Sequence, residues 1–145
     1  MSWEVIQTAG RMKSIDMFLN FPVMDMNRNV LWINPSGTDA KDISRMNAFW
    51  GDDSWKGAAY QQTPNLFGEI VEVKRKGNEP IALAFSKRLR DVGGFAQVSK
   101  PLPMRNSQSN ILYYLIFASQ KQVAKSIMTD IITNIFNKYA NWGIK

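Results

Sequence analysis

The stretch "IDMFLNFPV", residues 15–23, decides the fold class because its apolar run continues across both faces of the strand that it predicts. Asp16 and Asn20 are the interruptions, and Pro22 closes the run. The segment is short and bracketed by polar residues, which favours a strand over a helix. A strand that is apolar on both faces is typical of a parallel sheet covered by helices.

The totals of the chain indicate one globular α/β domain. It has 145 residues, of which 45% are hydrophobic and 21% charged, a balance that permits a core and argues against disorder. There is no Cys and no His, which excludes disulfides, thiolate or imidazole metal ligands, and Ser-His or Cys-His nucleophile pairs. The N-terminal "MSWEVIQTAG" lacks a secretion signal and no apolar run is long enough to span a bilayer, so we expect a cytoplasmic protein without a membrane partner.

Capping and stop signals predict most of the helices. Ser2 can cap a helix that reaches about Lys13, and Asp39 can cap one that ends at Gly51. "DDSWKGAAYQQ" (residues 52–62) predicts a short helix, with Asp52 or Asp53 as its cap. We also expect a helix in "NLFGEIVEVKRKG" (residues 65–77), although its β-branched residues fit a strand as well. The clearest helix begins near Pro80 and ends at the "GG" pair.

The C-terminal third predicts a hairpin and a long helix. "FAQVSKPLPM" (residues 95–104) and "NILYYLIFAS" (residues 110–119) are two strands joined by a polar turn, and the two prolines place the first strand at a sheet edge. Ser119 can cap the last helix. The apolar residues of that helix form a stripe with three supporting residues, namely Val123, Ile127, Ile131 and Ile135 with Ala124, Met128 and Tyr139.

Four blocks in order along the chain resemble the bacterial three-Cys-motif partner (TcmP) family. They are "SIDMFLNFPVMDMNRNVLW" (residues 14–32), "RMNAFWGDDSW" (residues 45–55), "FSKRLRDVGGFAQVSKPLPMRN" (residues 85–106) and "LYYLIFAS" (residues 112–119). The resemblance implies the C-terminal half of a Rossmann-like, methyltransferase-related α/β fold, with residues 1–145 as a single domain or half-domain. We therefore expect one parallel-type strand plus an antiparallel hairpin, flanked by helices, with the final strand inserted beside the first.

The resemblance also sets the expectations for cofactor and partners. The Gly-rich turn and the Asp-Pro-Tyr-Gly-like motif of the family's N-terminal half do not occur in this sequence. S-adenosylmethionine would bind in that half, so we expect a protein that is non-catalytic alone, whether a gene fragment or a stand-alone half. The implied partners are a three-Cys-motif protein, or a strand of a second copy or another protein at the exposed sheet edge.

Polar residues follow the first strand, where ligands bind in open α/β sheets, outside the carboxyl ends of the strands. The candidate binding residues there are Asn20, Asp25, Asn27, Arg28 and Asn29. An arginine in this place could clamp a phosphate or a carboxylate, whereas Asn and Asp also favour turns for purely local reasons. Arg105 and Asn106 at the hairpin tip form a second candidate.

The net charge of +6 raises the hypothesis of a nucleic-acid-associated binding module. The cations occur in short runs such as "KRKG" (residues 74–77) and "SKRLR" (residues 86–90), which also suit a solvated surface. The residues assigned to nucleic acid in this hypothesis are Arg28, Lys87, Arg88, Arg90 and Arg105. Trp50 and Trp55 are predicted to pack between helices, and neither a metal site nor a catalytic residue is predicted.

Overall fold

The described part of the chain alternates helices with short strands. The computed structural model describes the backbone of residues 1–142 and the side chains of residues 1–138. In chain order the elements are α1 (Trp3–Met12), β1 (Met17–Phe21), α2 (Val23–Asn29), α3 (Ala40–Trp50), α4 (Trp55–Ala59), β2 (Tyr60–Pro64), β3 (Ile70–Lys74), α5 (Glu79–Asp91), β4 (Gln97–Val98), β5 (Leu102–Arg105), β6 (Ile111–Ser119) and α6 (Gln122–Trp142). No helix of this part is long and apolar enough to cross a membrane.

The central sheet is built on β6. On one side β6 pairs with β1, from Met17↔Ala118 to Phe21↔Tyr114, and on the other side it pairs with β4 and β5. The predicted mixed α/β class and the β5–β6 hairpin are confirmed. The predicted parallel-type strand is not confirmed, because every ladder among residues 1–142 is antiparallel. Since β1 and β5 both run antiparallel to β6, they point the same way and their carboxyl ends lie at the same end of the sheet.

Four helices cover one face of this sheet. Leu19 and Phe21 of β1 and Ile116 of β6 pack into a core with buried residues of these four helices, α1, α2, α3 and α5, and of the short α4. Phe85 of α5 is fully buried at its centre. Four aromatic rings surround Phe85 at centroid distances of 4.9–6.2 Å, those of Trp3, Phe21, Phe49 and Trp50. This aromatic cluster ties the helices to the sheet.

The opposite face is only partly covered, by α6. This helix lies against β6 and β4, and its Met128 is buried. The predicted stripe is 39–69% exposed, at Val123, Ile127, Ile131 and Ile135. On the same side of the sheet, Phe18 of β1 is 55% exposed, so β1 is not buried on both faces as its sequence predicts. The side chain of Tyr139, predicted to support the stripe, lies outside the described residues.

Residues 65–77 are not a helix, so that prediction is wrong. Residues 70–74 form β3, which pairs with β2 in a separate two-stranded sheet. The side-chain oxygen of Asn65 accepts hydrogen bonds from the backbone N–H groups of Phe67 and Glu69, and Gly68 adopts φ +78°. These bonds close a tight turn that the helical periodicity does not reveal. The helix predicted over residues 52–62 is correspondingly short, because β2 begins at Tyr60.

The residues predicted to begin and end the other helices are confirmed in part. The carboxylate of Asp39 accepts from the N–H of Lys41 at 2.7 Å, and Gly51 ends α3 at φ +103°. Ser119 does not occupy the predicted N-cap of α6: it is the last residue of β6, and its Oγ accepts from the N–H of Lys121 at 3.0 Å, before α6 begins at Gln122. Ser2 precedes α1 without a side-chain capping bond, and the residue at the N-cap of α4 is Ser54 rather than an aspartate.

Candidate functional site

Helix α2, which was not predicted, directly follows β1 and divides the polar cluster into two sides. Asn27 and Arg28 line one surface cavity, whereas Asp25 and Asn29 line another with Arg45 of α3. Asn29 Nδ2 donates to Asp25 Oδ1 at 2.9 Å, one helical turn away. Asn20 is exposed on β1, paired in register with Leu115. The residues predicted as one site are therefore not all brought together.

Two adjoining cavities of about 510 and 490 Å³ lie beside Asn27 and Arg28. Both cavities are lined by Asn27 and Asn78. Five cationic residues are also part of the lining, and we call the region that they define the basic cleft: Arg28, Lys74, Arg75, Lys76 and Arg105.

The topology explains why these residues meet. Arg28 follows β1 and Arg105 ends β5, and these two strands have their carboxyl ends at the same end of the sheet. Lys74 ends β3 and begins the run that leads to Asn78 at the start of α5. Asn78 is the N-cap residue of the 13-residue α5 and lines both cavities, so the positive end of this helix lies at the cleft, with Glu79 in its first turn.

Hydrogen bonds hold three of the five cations in place. Lys74 Nζ donates to Asn27 Oδ1 at 2.6 Å, and an Arg105 guanidinium nitrogen donates to the carbonyl of Ser109 at 2.7 Å. The guanidinium of Arg75 donates at 3.4 Å to Gln61 Oε1 and to the carbonyl of Gly57. Within residues 1–142 none of the five forms a salt bridge, so their charges remain available to an anion.

Burial and charge act on the titratable groups around the cleft. Desolvation lowers the pKa of Lys74 from its usual 10.5. Burial is the main cause that raises the pKa of Tyr114, the Glu79 charge raises it further, and the Arg105 charge lowers it. Glu79 and Arg105 therefore both act on this end of the sheet, and Glu79 is a counter-charge within the otherwise cationic surroundings.

The remaining predicted residues have local structural roles. Asn106 Oδ1 accepts from the N–H groups of Gln108 and Asn110 at 3.0 and 2.9 Å and so holds the β5–β6 turn. Lys87 pairs with Asp91. Arg88 donates to the carbonyl of Trp50 at 2.7 Å and to Asp52 Oδ2 at 2.9 Å.

Of the five cations assigned to nucleic acid from the sequence, the fold brings Arg28 and Arg105 together. Arg90 lies near the other end of α5, about 18 Å along the helix from Asn78. Trp50 and Trp55 are buried among the helices, as predicted.

Sequence reasoning missed Lys74, Arg75, Lys76 and Asn78. The "KRKG" run was visible as charge, but its position depends on the β2–β3 hairpin, which the sequence did not reveal. No group of three or more His, Cys, Asp or Glu in residues 1–142 could hold a metal ion. Comparison with known proteins found no matching family model, curated protein or solved structure. The geometry of the described residues therefore carries the functional inference.

Proposed function

We propose that this chain is a nucleic-acid-associated binding module that holds a phosphate backbone in the basic cleft. The observation that carries the proposal is the convergence of five cations at the ends of β1, β5 and β3, none of which has a carboxylate partner among the described residues. Three guanidinium groups offer forked donors that match phosphate oxygens, and the two lysines add point charges. A net charge of +6 attracts a polyanion from a distance.

The shape of the site favours an extended anion over a single small one. Asn27 and Asn78 line both cavities, so the cations of one cavity neighbour those of the other. An isolated phosphate would contact the cations of one cavity, whereas successive phosphates of a polynucleotide would reach those of both. The amide and cationic side chains of the lining suit binding and positioning of the ligand.

The proposal is tested by fluorescence anisotropy with labelled oligonucleotides at low salt. The double variant Arg28→Ala/Arg105→Ala should bind at least roughly tenfold more weakly than the wild type, because each lost guanidinium removes charge-assisted hydrogen bonds. Arg90→Ala is the matched control, an exposed cation of α5 far from the cleft. Unchanged binding by the double variant, or an equal loss in the control, would contradict the proposal.

A second candidate function is favoured by the open edge of β1. In the described part of the chain β1 pairs only with β6, and residues 17–21 contain neither a charge nor a proline. An uncharged edge strand is a template for pairing with another strand. The exposed Phe18 and the exposed stripe of α6 add apolar area on the incompletely covered face.

This edge supports the proposal that the chain is the C-terminal half of a TcmP-like, methyltransferase-related sheet. In such a sheet the final strand lies between the last parallel strand and its hairpin partner, and here β6 lies between β1 and β5. A second α/β polypeptide would then pair with β1, and S-adenosylmethionine would bind only in that complex. A three-Cys-motif protein would be a further partner.

Co-expression with the nucleotide-binding half of a TcmP protein, followed by size-exclusion chromatography, tests this candidate. A complex should form with the wild type and be lost in Phe18→Lys, which places a charge beside the edge. Leu66→Lys, at a fully exposed position of the β2–β3 turn, is the control and should leave the complex intact. A wild-type chain that elutes alone, without a partner or a second copy at high concentration, would contradict it.

A further inference from the structure

Trp32 is an exposed tryptophan next to the basic cleft. Its side chain is 43% exposed, whereas Trp3, Trp50 and Trp55 are 2–6% exposed and pack in the core. Ile33, the next residue, lines the cleft and is 82% exposed. These two side chains place exposed apolar area at the border of a cationic surface, where a bound ligand would cover it.

The indole of Trp32 is held from several directions. Its Nε1 donates to the carbonyl of Arg28 at 2.8 Å, and its six-membered ring lies about 3.3 Å from where a Cβ of Gly37 would be. The backbone carbonyl of Trp32 accepts from the hydroxyl of Tyr60 at 2.8 Å. The ring is therefore fixed before any ligand arrives, which reduces the entropy cost of stacking upon it.

These contacts explain how the indole is held in place, but they do not cover the exposed part of the side chain. The N–H satisfies a carbonyl at the C-terminal end of α2, and the Gly37 backbone covers one part of the ring. The side chain nevertheless remains 43% exposed, and two residues next to it, Arg28 and Ile33, line the cleft. A rigid aromatic ring beside cations is the combination by which proteins bind single-stranded nucleic acid.

We propose that Trp32 stacks on a base of single-stranded nucleic acid whose phosphate is bound by Arg28, an inference that rests on the proposed function of the cleft. Trp32 follows α2 closely, and its indole N–H donates to the backbone carbonyl of Arg28, so the two residues are neighbours and one nucleotide could contact both side chains. In a duplex the bases are stacked on each other and their faces are not accessible. The cleft should therefore prefer single strands over duplexes of the same sequence.

Two variants separate stacking from structural support. Trp32→Phe keeps an aromatic face and loses the N–H donor, whereas Trp32→Leu keeps apolar bulk and loses the ring. We expect Trp32→Leu to weaken binding of a labelled single-stranded oligonucleotide by roughly 5- to 150-fold, and Trp32→Phe to weaken it much less. Binding of the matching duplex should change little in either variant, since it depends on the cations alone. Circular dichroism confirms that both variants are folded.

The outcomes distinguish the two proposals. The stacking proposal is overturned if Trp32→Leu binds the single strand as tightly as the wild type, or if it loses single strand and duplex to the same extent. The proposed function of the cleft fails on a different result, namely unchanged binding in Arg28→Ala/Arg105→Ala. A wild-type protein that binds neither form at low salt overturns both.

Discussion

Lys74 Nζ donates a 2.6 Å hydrogen bond to Asn27 Oδ1 and so joins β3 to α2 across 47 residues of sequence. A second bond, from the Tyr60 hydroxyl to the carbonyl of Trp32, reinforces the same junction at 2.8 Å. The junction brings the cations that follow β3 next to Arg28, which follows β1. The basic cleft therefore depends on tertiary structure and not on one charged segment.

Replacing Asn27 with alanine should loosen this junction. The variant loses the acceptor of a charge-assisted hydrogen bond that is only half-buried, so we expect a loss of about 1 kcal/mol in the free energy of unfolding. Oligonucleotide affinity should fall by a few fold, because Lys74 is no longer positioned. Asn29→Ala is the control, since its bond to Asp25 is exposed. Urea unfolding and anisotropy measure the two effects, and equal results for both variants would argue against the junction.

The lowered pKa of Lys74 predicts a pH dependence. Burial disfavours its charged form, so between the lowered pKa and the ordinary 10.5 the folded protein binds fewer protons than the unfolded chain. The contribution of Lys74 to stability should therefore rise with pH through that window. Affinity for nucleic acid should fall in the same window, as the cleft loses a charge. Lys74→Met should lack both effects, and an identical pH profile in wild type and variant would refute the assignment.

Arg88 should matter for stability and not for binding. Its guanidinium bonds to the Trp50 carbonyl and Asp52, and it lies 4.6 Å from the centre of the Trp3 ring. Arg88→Ala leaves a carbonyl without its donor, and we expect it to destabilise the protein by about 2 kcal/mol. Lys87→Ala, an exposed neighbour, should be within about 0.5 kcal/mol of the wild type. A folded Arg88→Ala variant with weakened oligonucleotide binding would place Arg88 in the interface instead.

Ser86 offers a stabilising substitution. Its hydroxyl is buried in α5 and has no hydrogen-bond partner in the described structure. Ser86→Ala removes this unsatisfied group and adds helix propensity, so the free energy of unfolding should rise by about 1 kcal/mol. A higher midpoint in thermal unfolding confirms this expectation. A lower midpoint would mean that the hydroxyl makes a bond of structural importance.

Much of the local structure could be predicted from the sequence, because its determinants are local. The carboxylate of Asp39, Pro80 near the start of α5 and Gly51 at the end of α3 act within one turn of the helices that they delimit. The prediction for residues 70–74 failed because Leu66, Ile70 and Val73 have helical spacing, whereas Ile70, Val71 and Val73 equally fit the strand that forms. Helix α2 was missed because its Asn and Asp residues resemble a loop.

The candidate site was predictable only in part. Arg28 and Arg105 could be placed at strand ends, since the direction of strands follows from the order of elements. The position of Lys74 beside them could not be predicted, because it depends on the β2–β3 hairpin. The turn of this hairpin is held by hydrogen bonds to the side chain of Asn65. The stripe of α6 illustrates a second limit, because periodicity predicts an apolar face and not what covers it. Ile127 and Ile131 of that stripe are 53% and 43% exposed.

The salt dependence of single-stranded oligonucleotide binding tests the central claim most directly. If the five cations of the basic cleft contact phosphates, the logarithm of the association constant should fall with the logarithm of salt concentration with a slope as steep as about −3.5. In Arg28→Ala/Arg105→Ala that slope should become shallower by about 1.4, and in Arg90→Ala it should be unchanged. A slope near zero in the wild type, or the same slope in the double variant, would contradict the assignment of the cleft to nucleic acid.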